Sequence, residues 1–205
     1  MPSGEGMVLG MRIDLTSSAT VLAMIDDLIG REGGYSNHPA DKGGATRWGV
    51  TEQVARAYGY TGDMRAYPRD NAIDTYRNAY WLDPGIAKVA TRYPAVGVEL
   101  FDIAVNQGVS VACTFLQRCL NVFNQNGAHY ADLTVDARLG PVSLLALDTF
   151  RDRRGEEGGE RLLVAIRSLK GARYIEISEA RPANEAFTYG WFGRMVEMAK
   201  KVIAR

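Results

Sequence analysis

The chain has 205 residues, 46% apolar and 23% charged, an ordinary balance for a globular protein with a core of its own. Lys plus Arg and Asp plus Glu both number 24, so the net charge is zero. That excludes the basic footprint phosphate binding leaves, and nucleic acid is not expected as a partner. No stretch reaches the roughly 18 apolar residues of a membrane span. No Cys/His cluster has metal-ligand spacing, so no metal site is expected.

In chain order, residues 1–16 read as a tail. The first 18 residues lack a basic start followed by a sustained apolar run, so no secretion signal is expected there. Ser17 or Ser18 can cap a first helix running to about Arg31. Val21, Ile25 and Leu28 recur on it at helical spacing. The next position on that face is Glu32, an acid where the pattern asks for an apolar residue. Gly33 and Gly34 then stop the helix, since glycine takes the left-handed cap without steric cost. The stretch to Thr51 is rich in Gly, Asn, Asp and Thr and reads as a small hairpin or open loop. Within it Asp41 lies nine positions after Glu32, and Thr46 five after that.

Beyond the loop the chain reads helical. Thr51 can cap a second helix ending near Gly59, and Asp70 a third. Ile73, Tyr76 and Tyr80 form a stripe on that third helix before Asp83-Pro84 stops it. A fourth is expected over about 95–107, the central buried helix, with Val96, Leu100, Ile103 and Ala104 on its apolar face. A fifth carries Ala112, Phe115, Leu116, Cys119 and Leu120. Cys113 and Cys119 point to different faces of that helix and cannot bridge. Both are expected reduced, Cys119 in the core and Cys113 partly exposed. Residues 121–139 read as a long polar loop. Gly140-Pro141 opens a sixth helix, with Pro at its first position. The charged, glycine-rich run 151–159 reads as a mobile connection. A seventh helix carries Leu162, Ile166, Leu169, Arg173 and Ile177. Pro182 ends it, and Asn184 can start the last. The class is mainly α with one small β-hairpin.

Glu32 and Asp41 are a candidate acid/base pair. Glycosidic cleavage needs a protonated carboxyl to protonate the leaving oxygen, and a carboxylate on the far side to activate water or support positive charge. A carboxyl at a half-buried helix C-terminus meets desolvation and the negative end of the dipole, and both favour its neutral form. A carboxylate in a polar loop stays ionised, so the two environments separate the two pKa values.

Glu32-Gly33-Gly34-Tyr35, Asp41-Lys42-Gly43-Gly44-Ala45-Thr46 and Trp48-Gly49-Val50-Thr51 resemble glycoside hydrolase family 108. Members of that family look like N-acetylmuramidases of the phage endolysin kind. Tyr76 to Trp81, Phe101 to Gly108 and Gly190-Trp191-Phe192-Gly193-Arg194 continue the resemblance. Leu116-Gln117 and Leu139-Gly140-Pro141 resemble the peptidoglycan-binding half common there. Ala137 replaces the first Gly of its VDGxxGP-like turn. The resemblance implies a lysozyme-like α bundle with one small β-hairpin lobe, divided into a tail (1–16), a catalytic lobe (17–107) and a helical peptidoglycan-binding-like lobe (108–205).

It also implies roles. Glu32 would be the general acid, Asp41 would hold or activate the water, and Thr46 would position it, with inversion expected. Asp102 and Asn106, four apart on one helix face, would face the cleft. Tyr35, His38, Tyr80, Trp191 and Arg194 are further candidates for substrate contact, Arg194 toward a wall carboxylate and Trp191 at one end of the cleft. Glu99 is a rival for the second carboxylate. The expected substrate is peptidoglycan, cut between N-acetylmuramic acid and N-acetylglucosamine, with no cofactor, by a monomer. It would reach the periplasm or wall through a holin-type pore or an export device. A lytic transglycosylase and a non-catalytic wall-binding protein on the same scaffold are the alternatives.

Overall fold

The computed structural model describes residues 18–32, 34–37 and 44–203. Eight α-helices and a three-stranded antiparallel sheet make up these residues. Helix α1 (Ser18–Glu32) buries Ile25, Leu28 and Ile29. Strands β1 (Tyr35–Ser36), β2 (Thr46–Arg47) and β3 (Val50–Thr51) follow in sheet order β1-β2-β3, one strand more than a hairpin. Thr51 caps α2 (Glu52–Ala57) as its sequence suggests, its hydroxyl accepting from the Val54 N–H.

Helix α3 (Arg69–Arg77) is preceded by Pro68 at the cap, and Asp70 sits in its first turn. Proline fixes φ for helix entry, so Asp70 complements the dipole from inside the helix and does not cap it. The helix runs on as a π-helical turn, Asn78–Leu82. A short α4 (Ile86–Ala90) follows, unsignalled in the sequence because five residues are too few for a periodic pattern.

The core sits around α5 (Pro94–Gln107), which buries Val96, Leu100, Ile103 and Ala104 as expected. It meets α4 closely: a side chain added at Gly97 would come within 2.4 Å of the Ala90 Cβ, so only glycine fits. Helix α6 (Val109–Phe123) packs beside it. Both cysteines are free and buried, Cys113 included, against the expected partial exposure. Burial pushes both thiols up to about 11.

Helix α7 (Pro141–Ala180) contains the run 151–159, so that run is not a loop. Only Gly155 leaves helical geometry, at φ 57° and ψ −151°. Gly158 and Gly159 are buried against Phe150 and Tyr93, and the Tyr93 hydroxyl donates to the Gly155 carbonyl (2.8 Å). The glycines allow close packing there. After Pro182–Asn184, α8 (Glu185–Ile203) completes the described chain. No described helix is long and apolar enough to cross a membrane.

The irregular segment between α6 and α7 is organised by Gln117, which is 1% exposed. Its amide nitrogen donates to Asp136 Oδ1 (2.8 Å) and the Arg138 carbonyl (2.9 Å), and its carbonyl accepts from the Ala137 N–H (3.0 Å). Ala137 is held at φ 61°, a left-handed conformation costing a non-glycine residue about 1–2 kcal/mol. Glycine would lose about 0.5–1 kcal/mol of that relief to chain entropy. Ala137→Gly is therefore expected to stabilise the protein by about 0.5–1 kcal/mol in urea unfolding; an unchanged or lowered midpoint would show that the turn carries no strain.

Candidate active site

Glu32 is the last residue of α1, and the sheet begins three residues later at Tyr35. The helix thus delivers an acid at its negative end directly to the small sheet. The Glu32 side chain, and the whole of Asp41 and His38, lie outside the described residues. Thr46 is in the central strand, opposite Ser36 of β1 and Thr51 of β3. Tyr35 pairs with Arg47, so it projects from the opposite face to Thr46, because side chains alternate along a strand. The guanidinium of Arg65 lies over the Tyr35 ring, 5.5 Å from its centre. Tyr35 and Thr46 therefore do not serve one face together. Trp48 anchors the sheet: its indole N–H donates to the Tyr67 carbonyl (3.1 Å).

In the π-helical turn, Trp81 is buried edge-on to Phe101, and Tyr80 is the more exposed of the pair. Tyr80 leans on Tyr76 (centroids 5.5 Å apart), and burial raises its pKa above the ordinary phenol value. At the end of α5, Asn106 is exposed, and its amide donates back to the Asp102 carbonyl (2.6 Å). Its neighbour Gln107 has both side-chain polar atoms buried and without a partner among the described residues. Sequence reading passed over it because nothing local marks a glutamine that lacks a partner.

Asp102 is corrected by the structure. It is 4% exposed, and both its oxygens are taken. Oδ2 accepts from Lys170 Nζ (2.7 Å), and Oδ1 accepts from Arg194 Nε (2.8 Å) and Nη2 (2.5 Å). Asp102 is therefore an internal ion-pair partner, with no free oxygen for a sugar. Arg194 is correspondingly spent on Asp102 and not held out to a wall carboxylate. Glu99 is 1% exposed and accepts from Lys170 Nζ and Arg167 Nε (2.7 Å each). That removes it as a rival second carboxylate. Trp191 lies within α8 and stacks between Tyr174 (5.1 Å) and Phe187 (6.3 Å). Among the described residues no group of three His, Cys, Asp or Glu gathers at metal-binding range.

Residues 25–108 match the model of the family described as glycosyl hydrolase 108. That segment of the chain is similar to the family. Residues 111–196 match a second model, described as a predicted peptidoglycan domain. Together they make the protein a glycoside hydrolase that acts on peptidoglycan. No curated protein matches the sequence. Among solved structures, SagA of Brucella abortus is similar with a TM-score of 0.61 at 22% identity, over 92% of this chain and 96% of that one. A likeness at that identity shows a shared fold.

The buried ion network joins the two matched segments. Glu99 and Asp102 belong to the family 108 segment, and Arg167, Lys170 and Arg194 to the peptidoglycan domain. Burial alone would raise the Asp102 pKa, but Lys170 and Arg194 together outweigh it and hold it below the usual carboxylate range. For Lys170, burial alone would lower the pKa, and Asp102 and Glu99 outweigh it and raise it. A lowered carboxyl stabilises the fold above its unfolded pKa of about 4, and that stability is lost as pH falls through the folded value. A raised ammonium stabilises it below about 10.4 and is lost as pH rises through the folded value.

Lys170→Met leaves two buried carboxylates facing each other without their shared cation. It is expected to cost about 3–5 kcal/mol in urea unfolding at pH 7. The deficit should shrink at acid pH, as the carboxylates of the variant protonate. A loss below 1 kcal/mol, or one constant from pH 3 to 7, would contradict this account.

Proposed function

We propose that this hydrolase is an N-acetylmuramidase. It cuts the β-1,4 bond between N-acetylmuramic acid and N-acetylglucosamine, with Glu32 as general acid. The observation that carries the reading is the placement of Glu32 at the C-terminal end of α1, next to the sheet whose central strand holds Thr46. The negative end of the helix favours the protonated form of a carboxyl placed there. Glu32 gives its proton to the glycosidic oxygen as the bond to the anomeric carbon breaks. Water adds to that carbon from the opposite face, and Asp41 takes the water's proton. Thr46 orients the water. The products are a reducing muramic acid end of inverted configuration and a free 4-hydroxyl on the next glucosamine. This needs the two carboxyls about 6.5–9.5 Å apart, room for one water.

On α5 the side-chain oxygen of the exposed Asn106 is free to meet an acetamido N–H, while its amide nitrogen is tied to the Asp102 carbonyl.

Digestion of purified peptidoglycan by wild type and Glu32→Gln, with mass spectrometry of the products, tests this. Gln keeps the shape but has no proton to give, so a loss of about a hundredfold or more is expected. Reducing muramic acid ends from the wild type alone are the expected products. Anhydro ends, lighter by one water, would move the enzyme to the lytic transglycosylases. Undiminished activity in Glu32→Gln would remove the residue from catalysis.

A further inference from the structure

A cavity of about 440 Å³ opens between the end of α2, the loop after it and α3. That volume lies in the range of about 300–1,000 Å³ typical of small-molecule sites. Among the described residues, neither α1 nor any of the three strands contributes to its walls.

Three tyrosines wall it, each with its hydroxyl already engaged. Tyr58 donates to Asp83 Oδ2 (2.8 Å), Tyr60 donates to the Asp63 carbonyl (2.9 Å), and Tyr67 shares a hydrogen bond with Thr75 (2.8 Å). Burial and the bond to Asp83 push the Tyr58 phenol up to about 12. Tyr60 and Tyr67 also brace each other edge to face, 4.7 Å between centroids. These rings are fixed before any ligand arrives, and Tyr58, 41% exposed, has ring surface to spare.

Helix α3 supplies the polar side. Asn71, Asp74 and Asn78 recur at steps of three and four and so lie on one face, with Arg77 beside them. None of these four side chains makes a hydrogen bond or ion pair among the described residues. Asp74 and Arg77 are at i,i+3 spacing, yet no salt bridge joins them. Asn71, Asp74 and Arg77 are exposed and Asn78 is half-buried, so water meets these groups in the free protein, and a polar ligand that reproduces its hydrogen bonds can take its place. Asn78 also opens the π-helical turn, a rare distortion found often at functional sites.

The groups match one ligand chemistry. Sugar hydroxyls both donate and accept, and two amides, a carboxylate and a guanidinium offer both. A pyranose presents a face of C–H bonds that settles on an aromatic ring. A phosphate would meet Asp74 with a single arginine in compensation, and a lipid chain would find too many polar groups. We propose that this cavity is a saccharide subsite for N-acetylated glycan, carried by α3 apart from the junction of α1 and the sheet. The identity of the sugar rests on the muramidase reading; the existence of the subsite does not.

The test uses Glu32→Gln protein, in which turnover is expected to be suppressed, titrated with the tetramer of β-1,4-linked N-acetylglucosamine while backbone amide shifts are followed. Shifts are expected across residues 58–78. In the same background, Asn71→Ala/Asn78→Ala and Asp74→Ala should weaken the binding reported by those shifts at least tenfold, with unchanged melting temperatures. Cellotetraose, which lacks acetamido groups, should bind more weakly. No response at residues 58–78, or wild-type affinity in both variants, overturns the subsite. Equal binding of cellotetraose overturns its preference for N-acetylated sugars. A response here combined with undiminished wall digestion by Glu32→Gln would leave the subsite standing and sink the catalytic assignment.

Discussion

Lys170 has no solvent exposure, and its ammonium is held by two carboxylates from one helix. Much of the molecule is arranged to make that tolerable. Removing a charge from water costs several kcal/mol, and attraction returns it only when geometry is good and the remaining hydrogen bonds are made. Glu99 and Asp102, one turn apart on α5, supply the geometry. Arg167 from α7 and Arg194 from α8 occupy the outer oxygens. Three cations against two carboxylates leave one positive charge in excess, and Arg167 Nη2 is buried without a partner. Such a network adds little net stability over apolar packing. What it does is penalise any other register of α7 and α8 on α5, since each slip strands a buried charge. The glycoside hydrolase segment and the peptidoglycan domain are thereby fixed to each other through the middle of the central helix.

The sheet is held by different means. Three strands of two residues each have almost no ladder of their own. Backbone and indole contacts carry it: the Glu52 N–H donates to the Ala45 carbonyl (2.7 Å), and Trp48 donates to Tyr67. The loop carrying Tyr60 and Tyr67 is thus at once a support for the sheet and a wall of the cavity beside α3. A displacement of that loop would be felt in both places. The proposed general acid and the proposed subsite are mechanically joined although they share no wall residue.

What could be read in the sequence follows from what is local. The apolar faces of α1, α5 and α6 repeat at 3.6 residues; Ile25 and Leu28 of α1 and the faces of α5 and α6 are buried as the pattern requires, and the Val21 side chain lies outside the described residues. Thr51 as a cap is equally local, a hydroxyl three residues from the N–H it serves. Asp102 was misread because its partners are 68 and 92 positions away; on the helix alone, an aspartate four before an asparagine looks like a polar face. Lys170 interrupts the apolar stripe of α7, and only the paired carboxylates on α5 make its burial intelligible. The glycines at 155, 158 and 159 suggested mobility by composition. Gly155 takes the left-handed φ at the kink, Gly158 lies against Phe150, and Gly159 lets Tyr93 approach, a contact from a residue distant in sequence. Asn71, Asp74 and Asn78 gave no signal at all, because a solvated face and a binding face have the same periodicity.

The net charge bears on how such an enzyme holds its substrate. With equal numbers of acids and bases, long-range attraction to an anionic wall has no general source, and recognition must be short-ranged. A neutral glycan suits that condition. Its strand is long and repetitive, so several weak contacts along it sum, provided the surfaces that make them keep their spacing. Rigid spacing is what the interior of this protein supplies: an ion network that fixes α7 and α8 on α5, glycine contacts that draw α4 onto α5 and α7 onto Tyr93, and tyrosines whose hydroxyls are spent on holding themselves still. The polar groups that α3 and Asn106 hold toward solvent have water as their partner in the free protein, and a polyhydroxylated ligand is the kind that can replace it there.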